Sequence, residues 1–137
     1  MATTLLVIAK QPVPGRVKTR LVPPCTHEQA AMLAEAALAD TLHAVLTAPA
    51  RRRVLVLDGE PGPWLPAGFD VVPQCGGPLG ERLADAFAAV GGPALLIGMD
   101  TPQVTPAQLT VDWQAADAVF GPAVDGGFWA LGLGETA

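Results

Sequence analysis

The chain is poor in positive charge. It has 8 Lys and Arg residues against 13 Asp and Glu, which gives a formal net charge of −5 over 137 residues. Proteins that bind nucleic acid in general use many cations to neutralise its phosphates. The composition therefore argues against nucleic acid as a partner.

Long apolar runs are also absent. None reaches the roughly 18–20 residues needed to span a bilayer, although 50% of the chain is hydrophobic. The first run, Thr3 to Ala9, is too short for the apolar core of a secretory signal and lacks a small-residue cleavage site. We therefore expect no membrane partner and a soluble, cytoplasmic protein.

Cysteine is scarce. The two cysteines, Cys25 and Cys75, are too few for a disulfide framework. Cys25 and His27 have the spacing of half a metal site, but no second pair completes it, because His43 and Cys75 stand alone. No serine or cysteine nucleophile is paired with a histidine either. We expect both cysteines to be reduced thiols, as is usual in the cytosol.

What the chain does have is an alternation of strand-like and helix-like segments. Short runs of β-branched and aliphatic residues predict buried strands, and Ala-rich segments with apolar residues at helical spacing predict helices. Thr26 and Gln29 have the spacing of a helix-capping box, and Thr105 and Gln108 repeat it. A single α/β domain over residues 1–137 is predicted, with three layers and a mostly parallel (mixed) sheet between helices. The predicted strands are 4–9, 54–57, 69–72, 94–97, 118–120 and 128–133, and the predicted helices are 26–48, 80–90 and one that begins at 105.

Half of the scarce cations lie in the loop after the first predicted strand. A turn there exposes backbone N–H groups, and lysine and arginine add charge-assisted donors for phosphate oxygens. Neither a Walker A loop nor a G-x-G-x-x-G motif occurs, and a solvated loop with ordinary surface cations is the alternative. The candidate phosphate-binding residues of this loop are Lys10, Gly15, Arg16, Lys18, Thr19 and Arg20.

Two acids follow later predicted strands. Ligands of parallel sheets bind beyond the carboxyl ends of the strands, so Asp100 and Asp125 should open on the same edge as the basic loop. Asp100 is placed to hold Mg²⁺ with water and substrate phosphates, and a turn or capping role before Pro102 is an equal alternative. For Asp125, Gly126 and Gly127 a hairpin turn is favoured, with a second metal contact or an acceptor contact as the functional alternative.

A third candidate segment, Gly76 to Arg82, opens the second predicted helix. Gly77 and Gly80 leave room for a base or a ribose close to the backbone, and Arg82 is placed to reach a phosphate; a simple turn is the alternative. The other basic run, residues 51–53, precedes a strand on the far side of the sheet and is interpreted as a solvated turn.

Four motifs together span nearly the whole chain: Ala9–Leu21 (AKQPVPGRVKTRL), Gln74–Leu83 (QCGGPLGERL), Gly98–Pro102 (GMDTP) and Gly121–Gly127 (GPAVDGG). In this order they resemble the nucleotide-diphospho-sugar transferase (GT-A-like) superfamily, in particular a bacterial branch of glycosyltransferase-like proteins. The first motif is also similar to the loop of 2-phospholactate guanylyltransferases and, more distantly, to that of molybdenum cofactor guanylyltransferases.

This resemblance implies a Mg²⁺-dependent (or Mn²⁺-dependent) transferase that acts on a nucleoside triphosphate or a nucleotide sugar and on a small-molecule acceptor. Arg16, Lys18 and Arg20 would match the phosphate-binding loop. Asp100 would match the metal-binding acid, and Asp125 the acid of the acceptor-side loop. Lys18 and Asp100 would serve catalysis by offsetting charge, without covalent chemistry through side chains.

Three functions stay open at this point. The surplus of cations favours nucleotidyl transfer to a phosphorylated or hydroxyl acceptor, and glycosyl transfer from a nucleotide sugar is the close alternative. Relatives continue past the strand after Asp125 with a segment that helps to complete the acceptor side, whereas this sequence stops at Ala137. A nucleotide-binding protein without catalysis is therefore the third hypothesis.

Overall fold

The computed structural model describes residues 3–124 and 127–134, along which strands and helices alternate as predicted. None of the helices in these ranges is long and apolar enough to cross a membrane. The strands are β1 (Thr4–Lys10), β2 (Arg52–Asp58), β3 (Asp70–Pro73), β4 (Ala94–Gly98), β5 (Ala118–Pro122) and β6 (Phe128–Leu133), and the helices are α1 (His27–Leu46), α2 (Leu79–Val90) and a 3-10 turn at Thr19–Leu21.

The strands form one six-stranded sheet with the order β3-β2-β1-β4-β6-β5. β1 pairs in parallel with β2 and β4, and β2 pairs in parallel with β3. β6 runs antiparallel to both β4 and β5. Because these two reversals cancel, β5 points the same way as β4, and the carboxyl ends of β1 to β5 share one edge. The predicted mostly parallel, mixed sheet is confirmed.

Alternate residues of β1 enter two separate cores, because successive side chains of a strand point to opposite faces. On one face Leu5 and Val7 belong to the core that α1 covers. On the other face Leu6 packs with Ala86 and Phe87 of α2. The sheet therefore lies between helices, as the three-layer prediction required.

Both ends of α1 are capped by side chains. The Thr26 hydroxyl accepts the Gln29 N–H at 3.1 Å, and Gln29 Oε1 accepts the Thr26 N–H at 2.9 Å, so the predicted capping box is confirmed. At the other end the Arg53 guanidinium donates to the Val45 carbonyl at 3.2 Å and to two carbonyls beyond it. The Val45 and Leu46 carbonyls lie in the last turn of α1, where regular helical bonding ends, and Ala48 follows the helix.

The interpretation of residues 51–53 as a solvated turn is wrong for two of the three. Arg52 and Arg53 belong to β2. Arg52 Nε donates to Asp70 Oδ2 on β3 at 2.7 Å, and Arg53 caps α1. Both lie at the amino end of β2, away from the edge that carries the strand carboxyl ends, so the predicted separation from the basic loop is correct.

The helix predicted from Thr105 is also wrong. Thr105 and Gln108 do exchange the two hydrogen bonds of a capping box, at 3.0 and 3.3 Å, but the segment stays a series of turns. Two β-branched residues follow, which are stiff in a helix. Asp112 then accepts the Gln114 N–H at 3.0 Å and begins another turn. A capping box alone does not sustain a helix here.

The order of strands around β1 creates a switch point. The chain passes from β1 through α1 to β2 on one side, and β4 later joins β1 on the other side. Loops that leave a sheet in opposite directions open a crevice at the carboxyl ends of the strands, where ligands of such sheets bind. The register sets Lys10 beside Asp58 and Ile8 beside Gly98 at this edge.

The packing of α1 predicts different stabilities for two leucine variants of this helix. Leu38 is 0% exposed, whereas Leu33 is 49% exposed. Leu38→Ala should lower the free energy of unfolding by about 2–5 kcal/mol because it leaves a cavity in the core, as measured by urea denaturation. Leu33→Ala is the matched control and should change it by about 0.5 kcal/mol or less. Equal decreases in the free energy of unfolding would contradict the burial of Leu38 between α1 and the sheet.

Candidate functional site

A cavity of about 390 Å³ lies at the carboxyl ends of β1 and β4. The ends of these strands, the loop after β1, α1 and the start of α2 all contribute to its wall, and its size is typical of small-molecule sites. Its remaining lining residues are apolar or glycine, and its polar ones are Lys10, Arg16, Lys18, Gln74, Arg82 and Asp100.

Four predicted phosphate-binding cations meet at this cavity. Lys10, Arg16 and Lys18 come from the end of β1 and the loop after it, and Arg82 comes from the first turns of α2. The two segments are distant in sequence and are joined by the parallel pairing of the strands. Two separately predicted groups of residues therefore contribute to one wall.

The other predicted glycines and loop residues lie outside the cavity lining. Gly15 and Gly77 both have positive φ angles, 83° and 98°, which glycine adopts readily. Their role in shaping the two turns is therefore clear, whereas their role in binding stays a prediction. The predicted phosphate-binding residues that do not line the cavity are Gly15, Thr19, Arg20, Gly77 and Gly80.

Lys18 and Asp100 form the shortest ion pair of the site. Lys18 Nζ lies 2.6 Å from Asp100 Oδ2, and the two side chains are 27% and 57% exposed. Lys18 also has a left-handed backbone, with φ 48° and ψ 38°. A non-glycine residue pays a conformational cost there, and such residues cluster at functional sites. Asp100 therefore contacts the basic loop directly, and its role in metal binding stays a prediction beside the turn and capping alternative.

The segment that carries Asp100 is anchored to α1 by Thr41. The Thr41 hydroxyl is fully buried; it accepts the Thr101 N–H at 3.0 Å and lies 3.1 Å from the Met99 carbonyl. The residues on both sides of Asp100 are thereby held to one side chain. The sequence contained a signal for this role, because Thr41 is a polar residue on the apolar face of α1 between Leu38 and Leu42.

Arg16 faces a second acid, Asp58, which is not among the predicted site residues. Their closest side-chain atoms are 3.7 Å apart, and the two side chains are 60% and 42% exposed. Solvent screens a pair of this kind, so it contributes little to stability. Asp58 follows the predicted strand 54–57 and is the last residue of β2, so the rule that selected Asp100 at the carboxyl end of a strand applies to it equally.

Arg82 is held by Gln74, a residue that was also missed. Arg82 Nη1 donates to Gln74 Oε1 at 2.7 Å, and Gln74 Nε2 donates to the Ala9 carbonyl at 3.1 Å. Arg82 Nε is enclosed and has no hydrogen-bond partner among the described residues. The chain of contacts links α2 to the end of β1 beside the cavity.

β5 and β6 are arranged as the predicted hairpin between them requires. The two strands are antiparallel, and the Ala123 N–H donates to the Gly127 carbonyl at 2.9 Å. Asp125 and Gly126 lie outside the described residues, so their acceptor and metal roles stay predictions. The hairpin turns at the same edge of the sheet as Asp100, since β5 runs parallel to β4.

A second, smaller cavity of about 120 Å³ lies next to the Asp100 segment. Thr101 lines it, while Gly98 to Asp100 line the larger cavity, so the segment borders both. Gln103, Gln108 and Trp129 provide amide groups and an indole. Its described lining carries no charged side chain.

The metal-binding side chains at the large cavity suit a divalent cation only if a bound phosphate supplies further ligands. Asp100 is the one carboxylate that the described residues bring to the large cavity, and nowhere in the described ranges do three His, Cys, Asp or Glu side chains come together. Mg²⁺ is commonly held by one or two carboxylates plus substrate phosphates. Asp100 meets that requirement, although Lys18 now contacts one of its oxygens.

Cys75 lies beside Gln74 and is disfavoured as a nucleophile. Desolvation raises the pKa of its thiol, the Asp85 and Glu81 carboxylates raise it further, and Arg82 partly offsets them. A thiolate is the reactive form of cysteine, and at neutral pH the raised pKa keeps Cys75 protonated. Both cysteines are free thiols, as predicted.

Residues 32–137 match a family model described as "Uncharacterized protein conserved in bacteria (DUF2064)". The chain belongs to the DUF2064 family. The matched region includes Gln74, Arg82 and Asp100, whereas the basic loop precedes it. No curated protein matches the chain.

Two solved structures resemble this DUF2064 chain. A protein of Desulfovibrio desulfuricans G20 described as a "putative nucleotide-diphospho-sugar transferase" is 30% identical over 97% of this chain, with a TM-score of 0.82. The chain spans 64% of that protein's length. Rv0371C of Mycobacterium tuberculosis H37Rv, a complex with manganese, is 23% identical with a TM-score of 0.52, over 96% of this chain and 70% of its own. The predicted GT-A-like fold is thereby confirmed, and the Desulfovibrio relative bears out the predicted likeness to nucleotide-diphospho-sugar transferases. The similarity of the first motif to the guanylyltransferases stays a prediction.

The raised pKa of Cys75 predicts slow alkylation in a Cys25→Ser background. The rate with iodoacetamide should rise with pH to a midpoint above the ordinary thiol value of about 8.5. Asp85→Asn should lower that midpoint and accelerate the reaction at pH 8, because loss of the carboxylate favours the thiolate. Asp40→Asn, on α1, is the control and should leave the profile unchanged. An unaltered profile in Asp85→Asn would contradict the assigned cause.

Proposed function

We propose that the cavity binds the phosphates of a nucleoside triphosphate or a nucleotide sugar, and that the protein transfers part of this ligand to a small acceptor. The observation that carries the proposal is the convergence of Lys10, Arg16, Lys18 and Arg82 on one cavity of an otherwise acidic chain. The transferase fold of the relatives supports the general class of reaction.

The wall of the cavity suits both halves of a nucleotide. Lysine and arginine form charge-assisted hydrogen bonds with phosphate oxygens. Ala34 and Ala37 of α1 and Met99 provide small or apolar surface for the nucleoside. Lys18 would exchange the Asp100 carboxylate for phosphate oxygens when the ligand enters.

Nucleotidyl transfer is the reaction that the cations favour. An acceptor oxygen would form a bond to the α-phosphorus, and the bond from that phosphorus to pyrophosphate would break. Lys18, Arg16 and Arg82 would orient the phosphates and offset the charge on the departing pyrophosphate. A divalent cation held by Asp100 would neutralise further negative charge on the phosphates when bound. The description of Rv0371C as a complex with manganese supports a divalent cation.

The acceptor would enter from the side of the smaller cavity. Thr101, Gln103 and Gln108 bring hydroxyl and amide groups there, directly after Asp100 in the chain. Glycosyl transfer is the second candidate, supported by the description of the Desulfovibrio relative as a nucleotide-diphospho-sugar transferase.

Thermal unfolding with each nucleoside triphosphate and nucleotide sugar tests binding. A ligand at 100 times its Kd should stabilise the protein by about 2.7 kcal/mol. Lys18→Ala should remove most of this stabilisation, because it deletes a charged donor of the phosphate site. Arg52→Ala removes a cation at the opposite end of the sheet and should leave the shift intact. The proposal would be contradicted if no nucleotide stabilised the protein, or if both variants lost the stabilisation equally.

The same assay with and without Mg²⁺ or Mn²⁺ tests the metal-binding role of Asp100. We expect the metal to increase the nucleotide-induced shift of the wild type. Asp100→Asn should keep or enlarge the metal-free shift, because Lys18 no longer faces a carboxylate. It should lose the increase, since the amide is a poorer ligand for a hard cation. Asp40→Asn is the control. An undiminished increase in Asp100→Asn would contradict the assignment of Asp100.

The released product distinguishes nucleotidyl transfer from glycosyl transfer. Pyrophosphate released from a triphosphate in the presence of an acceptor indicates nucleotidyl transfer, and a nucleoside diphosphate released from a nucleotide sugar indicates glycosyl transfer. Binding without either product would favour the nucleotide-binding hypothesis over both.

A further inference from the structure

We infer that Gln74 is a positioning residue that holds Arg82 at the cavity wall as a cation whose charge is not neutralised. The inference rests on the proposed function, because it gives Gln74 a role in binding the anionic part of that ligand. Neither the family description nor the relatives assign a role to this glutamine.

Gln74 is itself fixed from three directions. Its backbone N–H donates to the Leu57 carbonyl at the end of β2 at 3.0 Å. Its side-chain Nε2 donates to the Ala9 carbonyl near the end of β1 at 3.1 Å, which leaves Oε1 to accept Arg82 Nη1 at 2.7 Å. The amide orientation follows from these partners, since only the nitrogen donates to a carbonyl and only the oxygen accepts from a guanidinium.

The uncharged amide distinguishes Arg82 from the cations of the loop. Lys18 and Arg16 face the carboxylates of Asp100 and Asp58, so an incoming anion must compete with an acid for each of them. In the described part of the chain no carboxylate forms an ion pair with Arg82. Gln74 orients the guanidinium through a hydrogen bond and does not pair it with a carboxylate, so the ligand displaces no acid from Arg82.

Arg82 also keeps unused hydrogen-bonding capacity. Nη1 is engaged by Gln74, whereas the enclosed Nε has no partner among the described residues. An enclosed donor without a partner is costly, and a small turn of the guanidinium toward an anion in the cavity would relieve it. Arginine offers several N–H groups in a planar fork that matches phosphate oxygens.

Two substitutions of Gln74 separate positioning from a merely structural role. Gln74→Met keeps the approximate size and removes both side-chain hydrogen bonds. Gln74→Glu keeps an acceptor for Arg82 but introduces a carboxylate that neutralises it. Gln114→Met makes the same chemical change at an exposed site and serves as the control. The probe is inorganic pyrophosphate in metal-free buffer, titrated by calorimetry, with melting temperatures measured in parallel.

Gln74→Met should weaken pyrophosphate binding about tenfold, in line with the loss of one hydrogen bond to a charged group. Gln74→Glu should weaken it at least as much, while its melting temperature falls less than that of Gln74→Met, because the new ion pair with Arg82 offsets part of the lost hydrogen bond to the Ala9 carbonyl. An affinity that falls at least as far while the melting temperature falls less is the signature of positioning. Wild-type affinity in either variant would overturn the inference.

A double-mutant cycle tests whether Gln74 acts through Arg82. Gln74→Met in an Arg82→Met background should cause little further loss of affinity. Additive losses would mean that Gln74 acts independently of Arg82, which contradicts the inference.

A readout without ligand keeps the inference separate from the proposed function. The Arg82 Nη1–H resonance in ¹⁵N NMR should be protected from exchange in the wild type and in Gln114→Met, and unprotected in Gln74→Met, because Nη1 is the donor to Gln74. If the wild type binds neither pyrophosphate nor any nucleotide, the proposed function fails, and the resonance still decides the positioning claim. A resonance unaffected by Gln74→Met would overturn that claim whatever the ligand does.

Discussion

The parallel pairing of β1 with β2 on one side and β4 on the other is the constraint on which the site depends. It brings the ends of three strands to one edge, and with them Asp58, Lys10 and Asp100. β1 is buried on both faces, by α1 and by α2, so its register cannot slip without moving its apolar side chains to the wrong core. The cavity is therefore a consequence of how the hydrophobic sheet is assembled.

The electrostatics of the cavity follow from this arrangement. Acids that end the flanking strands face cations of the loop that leaves the central strand, as in the contacts of Lys18 with Asp100 and Arg16 with Asp58. In this form the protein pairs two cations of the site, Lys18 and Arg16, with its own acids. A ligand that brings both phosphate and a divalent cation supplies new partners for both kinds of group at once. Under the proposed function, that exchange explains why cations and acids are found at the same edge.

Local sequence was sufficient to predict the elements and part of the site. The apolar run of β1 and the capping box at Thr26 depend only on neighbouring residues, and both predictions are confirmed. Lys18 and Asp100 were predicted to share an edge because ligands bind beyond the carboxyl ends of parallel strands. They are in contact although they are 82 positions apart. The same local reasoning failed at Thr105, where the cap forms but the following residues do not continue the helix.

The missed residues share a physical cause. Gln74, Thr41 and Asp58 act through partners that only the assembled sheet supplies, such as the Ala9 carbonyl for Gln74 and the Thr101 N–H for Thr41. The neighbouring residues mark Thr41 as a polar residue on an apolar helix face and Asp58 as an acid at a strand end, but they do not reveal these partners. The most direct test of the account is a crystal structure with Mn²⁺ and a nucleoside triphosphate, in which the anomalous signal locates the metal. The account predicts manganese at Asp100, with phosphate oxygens contacting Lys18 and Arg82 and the Lys18–Asp100 pair opened. A nucleotide bound elsewhere, with that ion pair intact, would contradict it.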